Sequence, residues 1–235
     1  MDLKRLKWEI GIVLTVTFGL SGMKSILRLI DALLKPEALN EQQVTLYSPQ
    51  SASLWLDYGL QLCSATALIS WGLLALYLLA GDGIKLPAFR RPDIWHGMAL
   101  AAIIGVPGLA FYFGALQLGL TKEVIPSDFP SLWGIPVVLI WSFANAFGEE
   151  VVVVGWFMTR LKSFGLPAWA ILALSAVLRG SYHLYQGISG GIGNIIMGVV
   201  YGYYFQRFAK VWPLVIGHFL IDAIAFVGYT FIGPF

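Results

Sequence analysis

Apolar runs of about 20 residues recur along the whole chain and are separated by short polar stretches. A helix needs about 20 apolar residues to cross a hydrocarbon core about 30 Å thick, whereas a transmembrane barrel would show short alternating segments. The pattern therefore predicts an all-α, polytopic membrane helix bundle of about seven transmembrane helices, with eight possible. The predicted helices cover residues 8–34, 54–80, 94–120, 131–163, 167–185, 192–207 and 212–232.

The fourth predicted helix, residues 131–163, is too long for one straight perpendicular span. At 1.5 Å per residue it extends for about 50 Å. We expect it to tilt, to bend or to emerge into the cytosol, and Pro136 and Gly148 are the expected bending points.

The composition agrees with an integral membrane protein. Of the 235 residues, 58% are hydrophobic and only 12% are charged, and the mean hydropathy is +0.76. Soluble domains carry about 25% charged residues. The basic residues lie between apolar runs, so their positions indicate the topology of the helices in the membrane. The net charge of +2 is small, and we predict no nucleic-acid partner. The single cysteine, Cys63, forms no disulfide within the chain.

Basic residues near the helix ends collect on one side of a seven-helix bundle: Lys4, Arg5, Lys7, Lys85, Arg90, Arg91, Arg160, Lys162, Arg207 and Lys210. Because such residues favour the cytoplasmic side, we predict a multi-pass protein of the cell membrane with a cytoplasmic N-terminus. Lys24, Arg28 and Lys35 do not follow this pattern. With Asp31 they form a polar stripe, which we interpret as side chains that reach the membrane surface or pair within the bundle.

Two adjacent carboxylates, Glu149 and Glu150, lie inside the apolar run 144–156. A carboxylate at the centre of a membrane helix costs a few kcal/mol, so the pair indicates a functional site. His183 lies on the next predicted helix, four residues after Arg179, and this spacing places both side chains on one helix face.

The seventh predicted helix carries His218 and, four residues later, Asp222, which share one face in the same way. Each pair alone is compatible with a structural hydrogen bond between helices. Three helices that all bring ionisable groups into the apolar layer favour a functional site over a purely structural one.

The order Gly148-Glu149-Glu150, then His183, then His218-x-x-x-Asp222 resembles the CPBP family of intramembrane proteases. This family includes the type II CAAX prenyl endopeptidases and the bacteriocin-processing, bacteriocin-immunity and lysostaphin-resistance-like membrane proteins. Its motifs are EExxxR, FxxxH and HxxxN or HxxxD. The resemblance covers about residues 130–230 and implies a catalytic core there, with residues 1–129 as N-terminal helices of one transmembrane domain, 1–235.

The resemblance implies an intramembrane endopeptidase that hydrolyses a peptide bond of a membrane protein or peptide substrate within the lipid bilayer, with no cofactor required. Glu149 or Glu150 would activate a water molecule and His183 would help to position it. His218 and Asp222 would face the scissile carbonyl and stabilise its oxyanion. The resemblance implies neither the substrate's identity, nor whether it is prenylated, nor the oligomeric state.

The chain departs from the family motifs at three positions. Val154 occupies the place of the arginine in EExxxR, and Arg179 occupies the place of the phenylalanine in FxxxH. We hypothesise that these two changes are one exchange, in which Arg179 supplies the guanidinium from the next helix. The third departure is Asp222, because an ionised aspartate cannot donate a hydrogen bond to an oxyanion. It is either protonated by burial or orients His218.

Three alternatives remain open at the level of the sequence. A zinc site with His183, His218 and either Glu149 or Glu150 as ligands would leave the fourth position for water, although the spacing matches no short zinc motif. A non-proteolytic immunity, chaperone or regulatory protein on the same fold is favoured by Val154. A transporter with a Glu–His proton relay ranks last, because the chain lacks repeated halves.

Overall fold

The computed structural model describes residues 2–45, 48–125 and 134–228, and within these ranges helices are joined by loops, and there are two strands of three residues each. The all-α prediction is confirmed. The α-helices are α1 Leu3–Val16, α2 Phe18–Leu33, α3 Leu54–Gly81, α4 Pro92–Gln117, α5 Gly134–Glu149, α6 Phe157–Ser163, α7 Ala168–His183, α8 Ile188–Phe208 and α9 Trp212–Ala223.

The predicted first helix, residues 8–34, is two helices in the structure. The chain breaks at Thr17, and α1 and α2 meet at an angle of 49°. The Thr17 hydroxyl donates to the carbonyl oxygen of Val13 at 2.7 Å. A hydroxyl that bonds the preceding turn favours a bend, and Gly19 permits it, because a Cβ there would lie 2.6 Å from the carbonyl oxygen of Leu14.

Each of the seven predicted segments is helical in the residues that the structure describes, and residues 229–232 of the seventh lie outside them. The helices differ in whether they are long and apolar enough to span a membrane. In the described part of the chain, three helices are long and apolar enough to cross a membrane, and the bent pair α1–α2 makes a fourth when it counts as one span. The segment Trp212–Gly228 is apolar but shorter. The chain is thus a membrane protein by length and composition, and spanning by α7, α8 and α9 stays a prediction.

The long fourth segment runs from Gly134 to Ser163 and contains a π-helix, Glu150–Trp156, between α5 and α6. The irregularity starts two residues after Gly148, one of the two expected bending points. Pro136 causes no break, since it lies in the first turn of the described part of α5, where a missing N–H is tolerated. Residues 131–133, where the prediction began this helix, lie outside the described residues.

The π-helix is the most buried segment of the bundle. Val151, Val152, Val153 and Val154 are at most 1% exposed. The Ser175 hydroxyl on α7 donates to the carbonyl oxygen of Val153 at 2.9 Å. Since π-helices occur frequently at functional sites, this irregularity agrees with a functional site at Glu150.

Helices from both halves of the chain surround this segment. The N-terminal half contributes α2, which packs on α7, and α3, which packs on α5. The C-terminal half contributes α9, which packs on α5 and α4. The predicted division into an N-terminal part and a catalytic core stays a prediction.

One end of the bundle is closed by loops that pair with each other. Strands Gln43–Thr45 and Glu123–Ile125 pair in parallel. Beyond them, Gly187 bridges to Thr121 and has a φ of 121°, which favours glycine. A Cβ at Gly187 would lie 2.7 Å from the Cα of Thr121. Helix α8 begins directly after this glycine, four residues earlier than predicted.

Candidate active site

Glu150, the first residue of the π-helix, is held by partners from two other helices. Its Oε1 accepts from Nη2 of Arg179 on α7 at 2.5 Å and is 2.7 Å from Nδ1 of His218 on α9. The residue is completely buried. Its second oxygen, Oε2, is also buried and has no hydrogen-bond partner among the described residues. One carboxylate oxygen thus joins three helical segments.

Glu149, the last residue of α5, has a different environment. Its Oε2 accepts from the Tyr182 hydroxyl at 2.8 Å. The same oxygen lies 3.5 Å from Nη1 of Arg179 and 3.6 Å from Nε2 of His183. Across residues 2–45, 48–125 and 134–228, no hydrogen bond reaches its Oε1. Glu149 therefore keeps one oxygen free for a further ligand.

Arg179 is the cation between the two carboxylates. Its guanidinium is fully buried and also lies over the ring of Tyr201, with 5.7 Å between Cζ and the ring centroid. Removing a partner from such a buried pair typically costs about 3–5 kcal/mol, because the remaining charge is left uncompensated. Val154 is equally buried and uncharged. Arg179 contacts both glutamates, as the exchange hypothesis requires. That it replaces the arginine of the EExxxR motif in function stays a prediction.

His218 and Asp222 lie on one face of α9, as their four-residue spacing predicts. Nε2 of His218 is 3.6 Å from Oδ1 of Asp222, which is longer than a hydrogen bond. The other aspartate oxygen, Oδ2, accepts from Nδ2 of Asn145 on α5 at 3.0 Å. The polar contacts therefore run from Glu150 through His218 and Asp222 back to the helix that carries Glu149.

His183, the last residue of α7, closes the other side of the cluster. Its ring packs against Tyr182 with 4.8 Å between centroids, and neither ring nitrogen has a hydrogen-bond partner in the described part of the chain. The side chains of His183 and Asp222 are 13% and 16% exposed, more than those of the other four predicted site residues. Water and substrate would therefore approach from the side of these two residues.

The structure brings all six predicted site residues together and adds two that the sequence analysis did not assign. Tyr182 reaches Glu149, and Asn145 reaches Asp222. Tyr182 is fixed by Phe18 of α2, with 4.8 Å between ring centroids. No spacing in the sequence marks Tyr182. Asn145 lies four residues before Glu149, which places it on the same helix face but does not identify its partner on α9.

The zinc site that the sequence left open as an alternative does not fit this arrangement. Among the described residues, no group of three or more His, Cys, Asp or Glu side chains is placed to hold a metal ion. His218 directs Nδ1 to Glu150, and the guanidinium of Arg179 already provides the positive charge between the two glutamates. The hypothesis that Glu149, His183 and His218 bind zinc is therefore wrong for these side-chain positions.

Fold and site together define a class: a polytopic helical membrane protein with a buried cluster of glutamates and histidines around one arginine. Residues 131–224 match a protein family model described as type II CAAX prenyl endopeptidase Rce1-like. This range contains all six predicted site residues, and the match confirms the resemblance to the CPBP family. No curated protein and no solved structure matches the chain.

Proposed function

We propose that this protein is an intramembrane endopeptidase in which Glu149 activates the attacking water molecule. The family match supports a protease. The observation that carries the assignment is the difference between the two glutamates: one oxygen of Glu150 holds both Arg179 and His218, whereas Oε1 of Glu149 has no hydrogen-bond partner among the described residues. A general base must reach the proton that it abstracts. Oε2 of Glu150 is also unpaired, but that residue is completely buried, whereas Glu149 lies beside His183 on the more exposed side of the cluster.

The reaction follows from this assignment. A water molecule on Oε1 of Glu149 gives a proton to the carboxylate while its oxygen bonds to the scissile carbonyl carbon. The electron pair of the carbonyl double bond moves to the carbonyl oxygen and forms the oxyanion. When the double bond re-forms, the carbon–nitrogen bond breaks, and the proton on Glu149 passes to the leaving amine. Glu149 acts first as base and then as acid.

The neighbouring groups fix this chemistry in place. Tyr182 donates to Oε2 of Glu149 and so directs the other oxygen towards the open side of the cluster. His183 lies beside the same carboxylate and can share the water proton. Glu150 and Arg179 form a fully buried ion pair, which holds α7 against the π-helix. In this proposal Glu150 and Arg179 are positioning residues, and Glu149 and His183 contact the water.

His218 lies on the side of the oxyanion. Its Nδ1 contacts Glu150, so Nε2 is the nitrogen that faces Asp222 and the open side. With Nδ1–H donated to Glu150, the ring can donate from Nε2 only when both nitrogens carry a proton. The carboxylates of Glu150 and Asp222 on the two sides of the ring would balance that charge.

The test uses the full chain, purified and reconstituted in lipid vesicles. The probes are a farnesylated fluorescence-quenched peptide with a C-terminal CAAX sequence and its unprenylated counterpart. We expect cleavage by the wild type, and a fall in kcat of about 100- to 10,000-fold in Glu149→Gln, because a general base contributes about that much. Glu37→Gln, which alters an exposed glutamate far from the cluster, is the matched control and should keep the wild-type rate.

Two results would contradict the proposal. If Glu149→Gln cleaves at the wild-type rate, Glu149 is not the base. If the wild type cleaves neither probe nor a library of membrane-inserted peptides, the protein works without proteolysis, as an immunity, chaperone or regulatory protein on the same fold. Mass spectrometry of the products distinguishes cleavage at one bond from background degradation.

A further inference from the structure

The amide of Asn145 lies at the point where the reaction develops negative charge. Hydrolysis of a peptide bond places a negative charge on the carbonyl oxygen, and preorganised donors at that oxygen supply a large part of the rate enhancement. On α9, the position one turn after His218 is occupied by Asp222, whose ionised carboxylate has no hydrogen to donate. The oxyanion thus lacks a second side-chain donor on α9.

We propose that Asn145, on α5, is the second hydrogen-bond donor to the oxyanion, and that Asp222 positions it. This inference rests on the proposed function. Nδ2 of Asn145 donates to Oδ2 of Asp222 at 3.0 Å. An amide nitrogen carries two hydrogens, and the second has no acceptor among the described residues. A donor is therefore left over, on a side chain that is only half-buried.

The contact also fixes the orientation of the amide. Only the NH₂ end of an asparagine can face a carboxylate, since the carbonyl end would place two acceptors against each other. The aspartate therefore holds Nδ2, and not Oδ1, next to α9. Asp222 uses its two oxygens differently, because Oδ1 faces Nε2 of His218 and Oδ2 accepts from Asn145. One carboxylate orients both donors.

The position of Asn145 along α5 suits the reaction. It precedes Glu149 by four residues, which is one helical turn and about 6 Å along the axis, on the same face. A carbonyl carbon attacked by water on Oε1 of Glu149 can then direct its oxygen towards Asn145 and His218. The base and the two donors would border one space from two helices, with Asp222 between the donors.

Exchanging the two side chains tests this inference. Asn145→Ala removes the donor, and we expect kcat for the farnesylated peptide to fall about 100- to 1,000-fold with KM nearly unchanged, as for loss of one oxyanion donor. Asn145→Asp should be equally slow. In the double variant Asn145→Asp with Asp222→Asn, the amide stands on α9 and the carboxylate on α5. We expect this variant to recover most of the lost rate.

The matched control is Asn194→Ala on α8. Asn194 is also half-buried and donates one hydrogen bond from Nδ2, to the carbonyl oxygen of Gly190 at 3.0 Å, and not to a side chain of the cluster. A purely structural role predicts that Asn145→Ala and Asn194→Ala lose kcat only in proportion to their loss of thermal stability. That result, or a double variant no faster than Asn145→Asp, would overturn the inference.

The same measurements separate this inference from the proposed function. If Glu149→Gln is inactive while Asn145→Ala keeps the wild-type kcat, the oxyanion donor is assigned wrongly and the general base stands. If Glu149→Gln is fully active, the proposed mechanism fails first, and the inference fails with it.

Discussion

Two neighbouring glutamates have different contacts because successive residues of a helix point about 100° apart. Glu150 points to Arg179 and His218, and Glu149 points to Tyr182 and His183. The sequence shows that two carboxylates in a bilayer are costly. It does not show which glutamate contacts which neighbouring helix. The difference appears only when the neighbouring helices are in place.

Spacing predicted those contacts that lie within one helix. His218 and Asp222 share a face because they are four residues apart. The contacts between helices join residues far apart in the chain: 77 residues separate Asn145 from Asp222, and 33 separate Glu149 from Tyr182. No local pattern carries such information. The hypothesis that Arg179 replaces an arginine at position 154 could be formed only because a family motif supplied the expectation.

At the residue scale, we predict that Arg179→Phe abolishes cleavage and that adding Val154→Arg restores part of it. Loss of Arg179 leaves the buried carboxylate of Glu150 with His218 as its remaining partner, whereas an arginine at position 154 lies about one turn after Glu150 on the same segment. The measurement is kcat/KM for the farnesylated peptide in both variants.

Arg179→Lys is the companion variant, because it keeps the charge but not the planar fork that reaches both glutamates. We expect it to fold and to cleave slowly. If the double variant is no better than Arg179→Phe alone, the two positions are not interchangeable and the exchange hypothesis is wrong.

At the element scale, a second buried charged cluster fixes the far end of the π-helix. Oε1 of Glu9, on α1, accepts from Nε of Arg160 at 2.7 Å and from Nε1 of Trp156 at 3.0 Å. Nη2 of Arg160 also reaches the carbonyl oxygen of Leu78 at 2.9 Å and Oδ2 of Asp82 at 2.8 Å. The N-terminal helix is therefore tied to the segment that carries the glutamates.

We predict that Glu9→Ala lowers the thermal stability of the protein by far more than Asp31→Ala. The first change leaves the buried charge of Arg160 with fewer partners and costs about 3–5 kcal/mol. The second removes an exposed pair with Lys35 at 3.7 Å, worth about 0–1 kcal/mol. The measurement is the Tm of each variant in the same detergent. Equal shifts for the two variants would show that the Glu9 cluster adds no stability.

Element bounds were easier to predict than element irregularities. The predicted helix 54–80 is Leu54–Gly81 in the structure, because a long apolar run between polar loops has few other solutions in a membrane. The break at Thr17 was not predicted, and Gly148 indicated an irregularity near Glu150 but not that it is a π-helix. Both irregularities depend on contacts of side chains and on packing, and the hydrophobic periodicity of the sequence carries no information about such contacts.

At the scale of the whole molecule, the bent N-terminal pair contacts the cluster region from two sides. Through Glu9, α1 holds Trp156 at the end of the π-helix, while Phe18 of α2 packs on Tyr182. A second contact of α2 is the Ser25 hydroxyl, which accepts from the backbone N–H of Tyr185 at 2.6 Å. Residues outside the family match thus help to shape the site.

The orientation of the helices in the membrane can be tested by labelling cysteines in two loops. In a background in which Cys63, the exposed lone cysteine, is replaced by serine, we expect Glu37→Cys to react with a membrane-impermeant maleimide in intact cells. Arg90→Cys should react only after the cells are permeabilised, since basic loops favour the cytoplasmic side. The opposite labelling pattern would place the N-terminus outside and would contradict the charge-based topology.

The distance along the chain between Glu150 and Arg179, 29 residues, has a consequence for biosynthesis. The ribosome completes both glutamates before it adds the arginine that neutralises them. While the nascent chain carries Glu149 and Glu150 without α7, the bilayer or the insertion machinery must shelter two carboxylates, each at a cost of a few kcal/mol. Stable insertion of the glutamate segment therefore waits for a later helix, and an incompletely synthesised chain lacks both its counter-charge and its site.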